Sequence, residues 1–480
     1  MVFLAASGCM SRKSYFTELD QRRIRAYEQW KADTETLDRP RLHGALALEE
    51  AIRLALAYNP SLKAVLQEKE RARGRMIGAY SEALPSVSLT GNYTRLDQVT
   101  TVDLGVDSFQ IGDVDNYSFQ VTVEQPLYKG GTIQIAQRAA RLFKYLTDEQ
   151  VRRAVERVIS EVATTYCETI LTSHLVEVRQ AALDSAQAHL DEVESRRKHG
   201  VATEYDVLRA EVDVSNFDAE LITQRNAHDL ALARLFKLLG VSQRSDVKLT
   251  DKLVFEEVDM EYAAAVLVAF RNRPDLFIAM LEADLQQEAL NRARTEYLPR
   301  LNAYYWRKWA KPDPHEASNI AWNDQWQAGL ALSWTLFDGL EREGAIIEQA
   351  AVVERSLIEL SNTEEQALLE LRNALSELEN SHQLVVSQKL NLARADRALE
   401  LVKVGYREGA NTEIEVLDAT TALTRARGTY YRALFQHTSA RIALQLAMGI
   451  LGPPPGAREM PKEVDLGARL DEVSGRETGD

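Results

Sequence analysis

Along this chain the spacing of apolar and polar positions changes in a fixed order, and the order occurs twice. From about Leu48 a helical pattern runs to Pro85, because the residue before a proline is pushed out of the helical region. SVSLTGNYT then alternates, with Val87, Leu89, Gly91 and Tyr93 on one face and Ser88, Thr90, Asn92 and Thr94 on the other. In YSFQVTVE, Tyr117, Phe119, Val121 and Val123 likewise oppose Ser118, Gln120, Thr122 and Glu124. In the second half QWQAGLALSW carries Trp326, Ala328, Leu330, Leu332 and Trp334 on one face, while its partner RLNAYYWRKW alternates poorly. The pattern predicts strands over about 86–96, 116–125, 300–309 and 325–335, with polar loops at 95–116 and 307–324.

After each strand pair the breakers stop. Helical pattern is uninterrupted over 131–199 and 340–408, 69 residues each. At 1.5 Å per residue each helix would be about 100 Å long. Apolar residues recur at mixed three and four spacing, as in Val151, Val155, Val158 and Val162, or Leu368, Leu371, Leu375 and Leu378, which predicts a narrow coiled-coil seam. Gly200 and Gly409 suit left-handed C-caps, and Thr203 and Thr412 suit N-caps with Asp206 or Glu415 three residues on. Each long helix therefore turns and returns, giving hairpins over 131–239 and 340–449.

The two halves match in wording as well as pattern. GVATEYDVLRA from Gly200 recurs as GANTEIEVLDA from Gly409, 209 residues later, and NPSL at Asn59 answers RPDL at Arg273, 214 residues later. This period is too long for a solenoid unit. It divides the chain into repeats over 46–255 and 256–453, preceded by a signal-like segment 1–9 and a segment 10–45, and followed by a flexible tail 454–480. The fold class expected is mainly α with a β-barrel portion. Eight residue steps from Trp326 to Trp334 span roughly 26 Å, close to the apolar band of an outer-membrane barrel between its aromatic girdles. Four strands cannot close alone. Two copies would give about eight strands and a filled interior, whereas three give about twelve and leave a lumen.

Composition removes other classes. A net charge of −15 disfavours nucleic acid as a partner. Two cysteines, Cys9 and Cys167, make no disulfide framework, and no run of 18 apolar residues provides a transmembrane helix. Phosphate-loop, H-E-x-x-H and C-x-x-C motifs are absent from the sequence, so no catalytic residue, cofactor or metal site is expected. The eight histidines read as scattered, with His382 an interface residue on its helix seam.

The ordered set of strand pair, long hairpin, Leu-Pro before the strands and a G-x-x-T-x-x-[DE]-V-L tip, present twice, resembles the TolC-like outer-membrane efflux family over roughly Leu46 to Pro453. The resemblance implies a homotrimer with a twelve-stranded barrel, a periplasmic helical tunnel, and docking to a periplasmic adaptor and an inner-membrane transporter. It also implies an entrance at the tips. There Glu415 and Asp418 match acids that ring the constriction, Tyr406 matches a tyrosine that helps hold it closed, and Asp206 matches its acidic partner in the first hairpin. Asn411 stands where some members carry a gate arginine, so a latch here would rest on Tyr406 and hydrogen bonds. The adaptor-docking tips would be Gly200, Val201 and Thr203 with Gly409, Ala410 and Thr412, and Trp326 and Trp334 would mark the membrane girdle. LAASGC resembles a bacterial lipoprotein box, which would attach outer-membrane lipid to Cys9; only eight residues precede it, which reads as a start placed too far downstream. The alternative is a periplasmic coiled-coil adaptor or structural tether without a pore, for which the tryptophan-bounded strand has no use.

Overall fold

The computed structural model describes residues 12–36, 40–103, 108–316 and 319–454. Its first half runs α1 (Arg12–Thr36), β1 (His43–Leu46), α2 (Leu48–Tyr58), α3 (Pro60–Ser81), β2 (Ser86–Arg95), β3 (Thr100–Asp103), β4 (Ser108–Ile111), β5 (Asp115–Lys129), α4 (Thr132–Lys198) and α5 (Glu204–Leu239). The second runs β6 (Asp246–Leu249), α6 (Tyr262–Asn272), α7 (Pro274–Thr295), β7 (Arg300–Lys311), β8 (Asn323–Ser333), α8 (Glu341–Arg407) and α9 (Glu413–Ala447). The residues of the lipoprotein-like segment, Cys9 included, lie outside the described residues, as do 455–480.

Two helices precede each strand pair, where the pattern from Leu48 suggested one. The break falls at Asn59-Pro60, where the Asn59 side-chain oxygen accepts from the Ser61 and Leu62 amides at 2.9 and 3.1 Å while Pro60 takes the first helical position. Arg273-Pro274 breaks the second half at the equivalent place. Both break residues also tie a returning helix to this corner: Asn59 donates to the Leu238 carbonyl at 2.8 Å, and Arg273 to the Ala447 carbonyl at 3.0 Å. Gly240 and Gly449 follow those carbonyls with φ of 71° and 69°. A Cβ on Gly240 would sit 2.4 Å from the Tyr58 carbonyl oxygen, whereas one on Gly200, also at positive φ, meets nothing. Gly240→Ala should therefore destabilise the fold by on the order of 3 kcal/mol and Gly200→Ala by about 1 kcal/mol, measured as thermal unfolding of the detergent-solubilised protein.

The long helices are 67 residues each. Val151, Val155, Val158 and Val162 are buried as expected, but they face a broad core with Leu46, Ile52, Leu235, Leu239 and Tyr166, not a two-helix seam. Around the expected seam of α8 the buried positions are Ala367, Leu371, Ala374 and Leu378, so alanines replace the expected Leu368 and Leu375, which are only partly buried. A seam of alternating small and large residues lets α9 approach closely. Between the halves, β1 pairs in parallel with β6, which the pattern did not reveal because four residues are too few to show a period.

The barrel strands form one antiparallel sheet ordered β2-β5-β7-β8. Its register puts Val87, Leu89 and Tyr93 opposite Val123, Val121 and Tyr117, and Leu301, Ala303 and Tyr305 opposite Leu332, Leu330 and Ala328. One face is thus apolar on all four strands apart from a few polar positions such as Arg307 and Lys311, which share it opposite Val121 and Tyr117; β7 alternates poorly because of these charges and because Tyr304 and Trp306 lie on the other face. Strand β5 continues past Pro126, where a register shift between Pro126 and Tyr128 absorbs the missing amide. The loop expected over 95–116 contains the hairpin of β3 and β4.

Candidate functional site at the hairpin tips

Each tip is built by local chemistry that its sequence specifies. At the first, Gly200 has φ 77° and the Val201 amide donates back to the Arg196 carbonyl at 2.9 Å, closing α4. Thr203 then opens α5: its amide donates to the Asp206 carboxylate at 2.7 Å, and the Asp206 amide donates to the Thr203 hydroxyl at 3.3 Å. These bonds from Thr203 hold the Asp206 carboxyl below the usual carboxylate range. The second tip repeats the device with Gly409 at φ 76°, Thr412 and Glu415. The Glu415 carboxylate accepts from the Thr412 amide at 2.7 Å and from Asn411 Nδ2 at 3.1 Å, bonds that lower its pKa.

Asp206 and Glu415 are therefore occupied as helix caps, while Asp418, one turn further along α9, is exposed. Among the described residues no hydrogen bond or ion pair joins Asp206 to Tyr406 or to Asn411, so the pairing expected for Asp206 is not made within one chain. Asn411 instead folds over Gly405, where a Cβ would lie 1.7 Å from its Oδ1. That glycine carries no signal in the sequence, because only the fold of the turn shows what lies against it. Val201 and Ala410 are exposed at the two turns.

The contacts that cross between hairpins at the tips bring residues outside any sequence motif to Tyr406 and the start of α9. The Arg196 guanidinium of α4 lies 4.3 Å from the centroid of the Tyr406 ring of α8. One heptad earlier on α4, His189 Nε2 approaches the Glu413 carboxylate of α9 at 3.3 Å, without the alignment of a hydrogen bond. The His189 ring is 5.8 Å from that of Tyr406. His189 and Arg196 share a face of α4 by their spacing, and that is the one clue the sequence offers. Beneath them lies a cavity of about 380 Å³ between the hairpins, walled by Ala186, Ala210, Phe217, Val416 and Leu417. Burial raises the pKa of Tyr406 against the opposing effect of Arg196, and burial likewise raises that of Asp213, at the cavity edge.

At the opposite end of the hairpins the apolar sheet face is uncovered. Trp326, Leu330, Leu332 and Trp334 are all exposed, and Trp334 donates to the Tyr297 carbonyl at 3.0 Å. Trp322, beyond the expected strand, stacks on Phe119 with centroids 6.0 Å apart and extends the aromatic rim. Among the described residues no helix is long and apolar enough to cross a membrane, and no group of side chains could hold a metal.

The profile described as Outer membrane efflux protein matches residues 51–241 and 268–450 of this chain. The alkaline protease secretion protein AprF of Pseudomonas aeruginosa is 22% identical over 411 residues, covering 85% of each chain. The outer membrane protein TolC of Escherichia coli is 22% identical over 435 residues, again covering 85% of each. In fold, the solved outer membrane protein VceC of Vibrio cholerae superposes with a TM-score of 0.68 at 18% identity, over 84% of this chain and 96% of that one.

Proposed function

The chain belongs to the outer membrane efflux protein family, and from that premise we propose that its two hairpin tips form the gated periplasmic entrance of a trimeric channel. It is an outer-membrane component of an efflux or type I secretion system, and its relatives are channels rather than enzymes. The observation that carries the trimer is the sheet. Its edge strands β2 and β8 leave rows of backbone amides and carbonyls unpaired at membrane depth, where each unmet group costs several kcal/mol. Three copies joined edge to edge make twelve strands and remove every edge. The outward apolar face leaves the adaptor or tether alternative without a use for this sheet.

In the trimer the hairpins extend the lumen as a helical tunnel, and selection of the exported compound falls to an inner-membrane transporter reached through a periplasmic adaptor at the tips. Cys9, if acylated, adds a lipid tether in the outer membrane. Of the two acids matched to the constriction, Asp418 alone is free to line it, since Glu415 is committed to its cap. Single-channel recording in planar bilayers with a trivalent cation on the tip side tests this. Asp418→Asn should weaken block at least tenfold, while Glu415→Gln should change it little. Equal block in wild type and Asp418→Asn would take Asp418 out of the constriction.

A further inference from the structure

The cavity beneath Tyr406 is the first of two chambers in one groove between the hairpins. Further from the tips, α4, α5 and α9 enclose a second cavity of about 190 Å³, and the Phe217 ring of α5 lines both. The two chambers differ in character. The first has the apolar walls already described, whereas the second is ringed by Arg425, Arg432 and Thr421 of α9 with Gln224 of α5. Among the described residues neither guanidinium has an ion pair or a hydrogen bond, and the Gln224 amide and Thr421 hydroxyl make no hydrogen bond within the chain. Gly428 keeps this chamber open. It stands inside α9, where glycine is a poor helix former, and its counterpart 209 residues earlier is Ala219. Arg432 Nη1 and Leu175 Cδ2 of α4 both come to 3.6 Å from where its Cβ would stand, so a longer side chain there would fill the space.

The charge of the groove runs against that of the chain, which carries −15 overall. Of the acids that line it, Glu192 pairs with Arg196 at 3.3 Å and Glu220 with Arg179 at 2.7 Å, which leaves Asp213 unpaired in the first chamber. Against it stand four lining cations with no partner among the described residues. Lys403 and Arg407 are exposed on the rim of the first chamber, where Asp213 opposes them, and Arg425 and Arg432 are exposed at the mouth of the second, where no unpaired acid does. The uncompensated positive charge therefore lies at the end of the groove away from the tips.

We propose that this groove binds an amphipathic anion, with a sulfonate, phosphate or carboxylate head held by Arg425 and Arg432 and an aromatic or alkyl body lying past Phe217 in the first chamber. Guanidinium groups offer planar pairs of donors that match an oxyanion, and Gln224 and Thr421 add an N–H and an O–H donor. The two chambers together have the size and the make-up of a small-molecule site, apolar walls with a few converging polar groups. Asp213 repels a negative head from the first chamber, so the ligand lies with its head away from the tips. One such molecule touches α4 and α5 of the first hairpin and α9 of the second, and it favours the arrangement in which they meet over any in which they part. Its effect on opening rests on the tip being the gate, whereas its binding does not.

The probe is 1-naphthalenesulfonate, measured by equilibrium dialysis against the assembled oligomer in lipid nanodiscs, with empty nanodiscs as the blank. Wild type should bind one molecule per chain, at least about tenfold more tightly than the neutral 1-naphthalenemethanol or the cationic 1-naphthylmethylamine. Arg425→Gln and Arg432→Gln should each weaken the sulfonate at least about fivefold. Arg427→Gln, the same charge change on α9 at a guanidinium that faces Asp396 at 3.5 Å, should not. Should either chamber variant fail to assemble, Gly428→Leu keeps both arginines, fills the second chamber and should abolish binding. No saturable binding, as when the acids of a neighbouring copy already meet the two arginines, would overturn the site. So would equal affinity for the three probes, a preference for the amine, or unchanged binding in both glutamine variants or in Gly428→Leu. Bilayer recording separates the two readings. Saturating sulfonate should lower open probability in wild type and not in Arg432→Gln; binding without an effect on opening would overturn its hold on the hairpins, while Asp418 and the tip contacts stand or fall on their own tests.

Discussion

Leu330→Arg should prevent this chain from assembling in a bilayer, whereas Gln327→Arg, three residues away on the same strand, should not. Leu330 is 66% exposed, lies midway between Trp326 and Trp334, and pairs with Ala303 on the sheet face that also carries Leu89, Val121 and Leu332. An arginine at the midplane of a barrel's lipid face costs roughly 2–4 kcal/mol, and a trimer carries three of them. Gln327 lies on the opposite face with Thr90, Gln120 and Thr122, which in the proposed trimer lines a water-filled lumen where a charge is solvated. The measurement is the fraction of each variant recovered as a heat-resistant oligomer in outer membranes. Equal recovery of both would mean that the apolar face meets protein and not lipid.

This contrast between faces is legible in the sequence alone, because a strand with one lipid face shows a period of two that no packing partner disguises. The tips are legible for a related reason. Glycine at positive φ followed by Thr-x-x-[Asp/Glu] is chemistry local to a few residues, and both Gly200–Asp206 and Gly409–Glu415 fold as their composition requires. Features set by contact between distant segments are not legible in the same way. The break at Asn59-Pro60 is hidden because apolar spacing continues across it. The alanine seam of α8 depends on which face α9 meets, and leucines at Leu368 and Leu375 make the neighbouring face look equally suitable. His189, Arg196 and Glu413 read as ordinary helix-surface residues until two hairpins more than 200 residues apart are laid side by side. The pair His228 and His437 is legible in principle, since the two stand 209 residues apart at the repeat offset, but the Thr172 and Ser381 hydroxyls, each 56 residues upstream of its histidine, gain meaning only once the hairpins bring them across.

In the proposed gate, Arg196 supplies the cation that Asn411 does not. The cation that meets Tyr406 is supplied from the other hairpin, so removing either partner should loosen the tip as removing both does. A half-buried cation–π contact is worth about 1 kcal/mol, and if three copies open together the opening equilibrium shifts by about 3 kcal/mol, roughly two orders of magnitude. Arg196→Met, Tyr406→Leu and the double variant should each raise open probability in planar bilayers by about this factor, with the double no more open than the singles. Asn411→Ala is the control. Its side chain lies over Gly405 and donates to the Glu415 cap, so the variant should weaken the start of α9 with little change in opening. Strictly additive effects of Arg196→Met and Tyr406→Leu would show that the two residues act apart, and a large effect of Asn411→Ala would return the latch to the second hairpin alone. The His189–Glu413 pair, one heptad toward the body of the channel, lacks the alignment of a hydrogen bond, so His189→Ala should contribute well under tenfold. The latch would then be centred on the ring of Tyr406, with the ion pair aligning the hairpins beneath it.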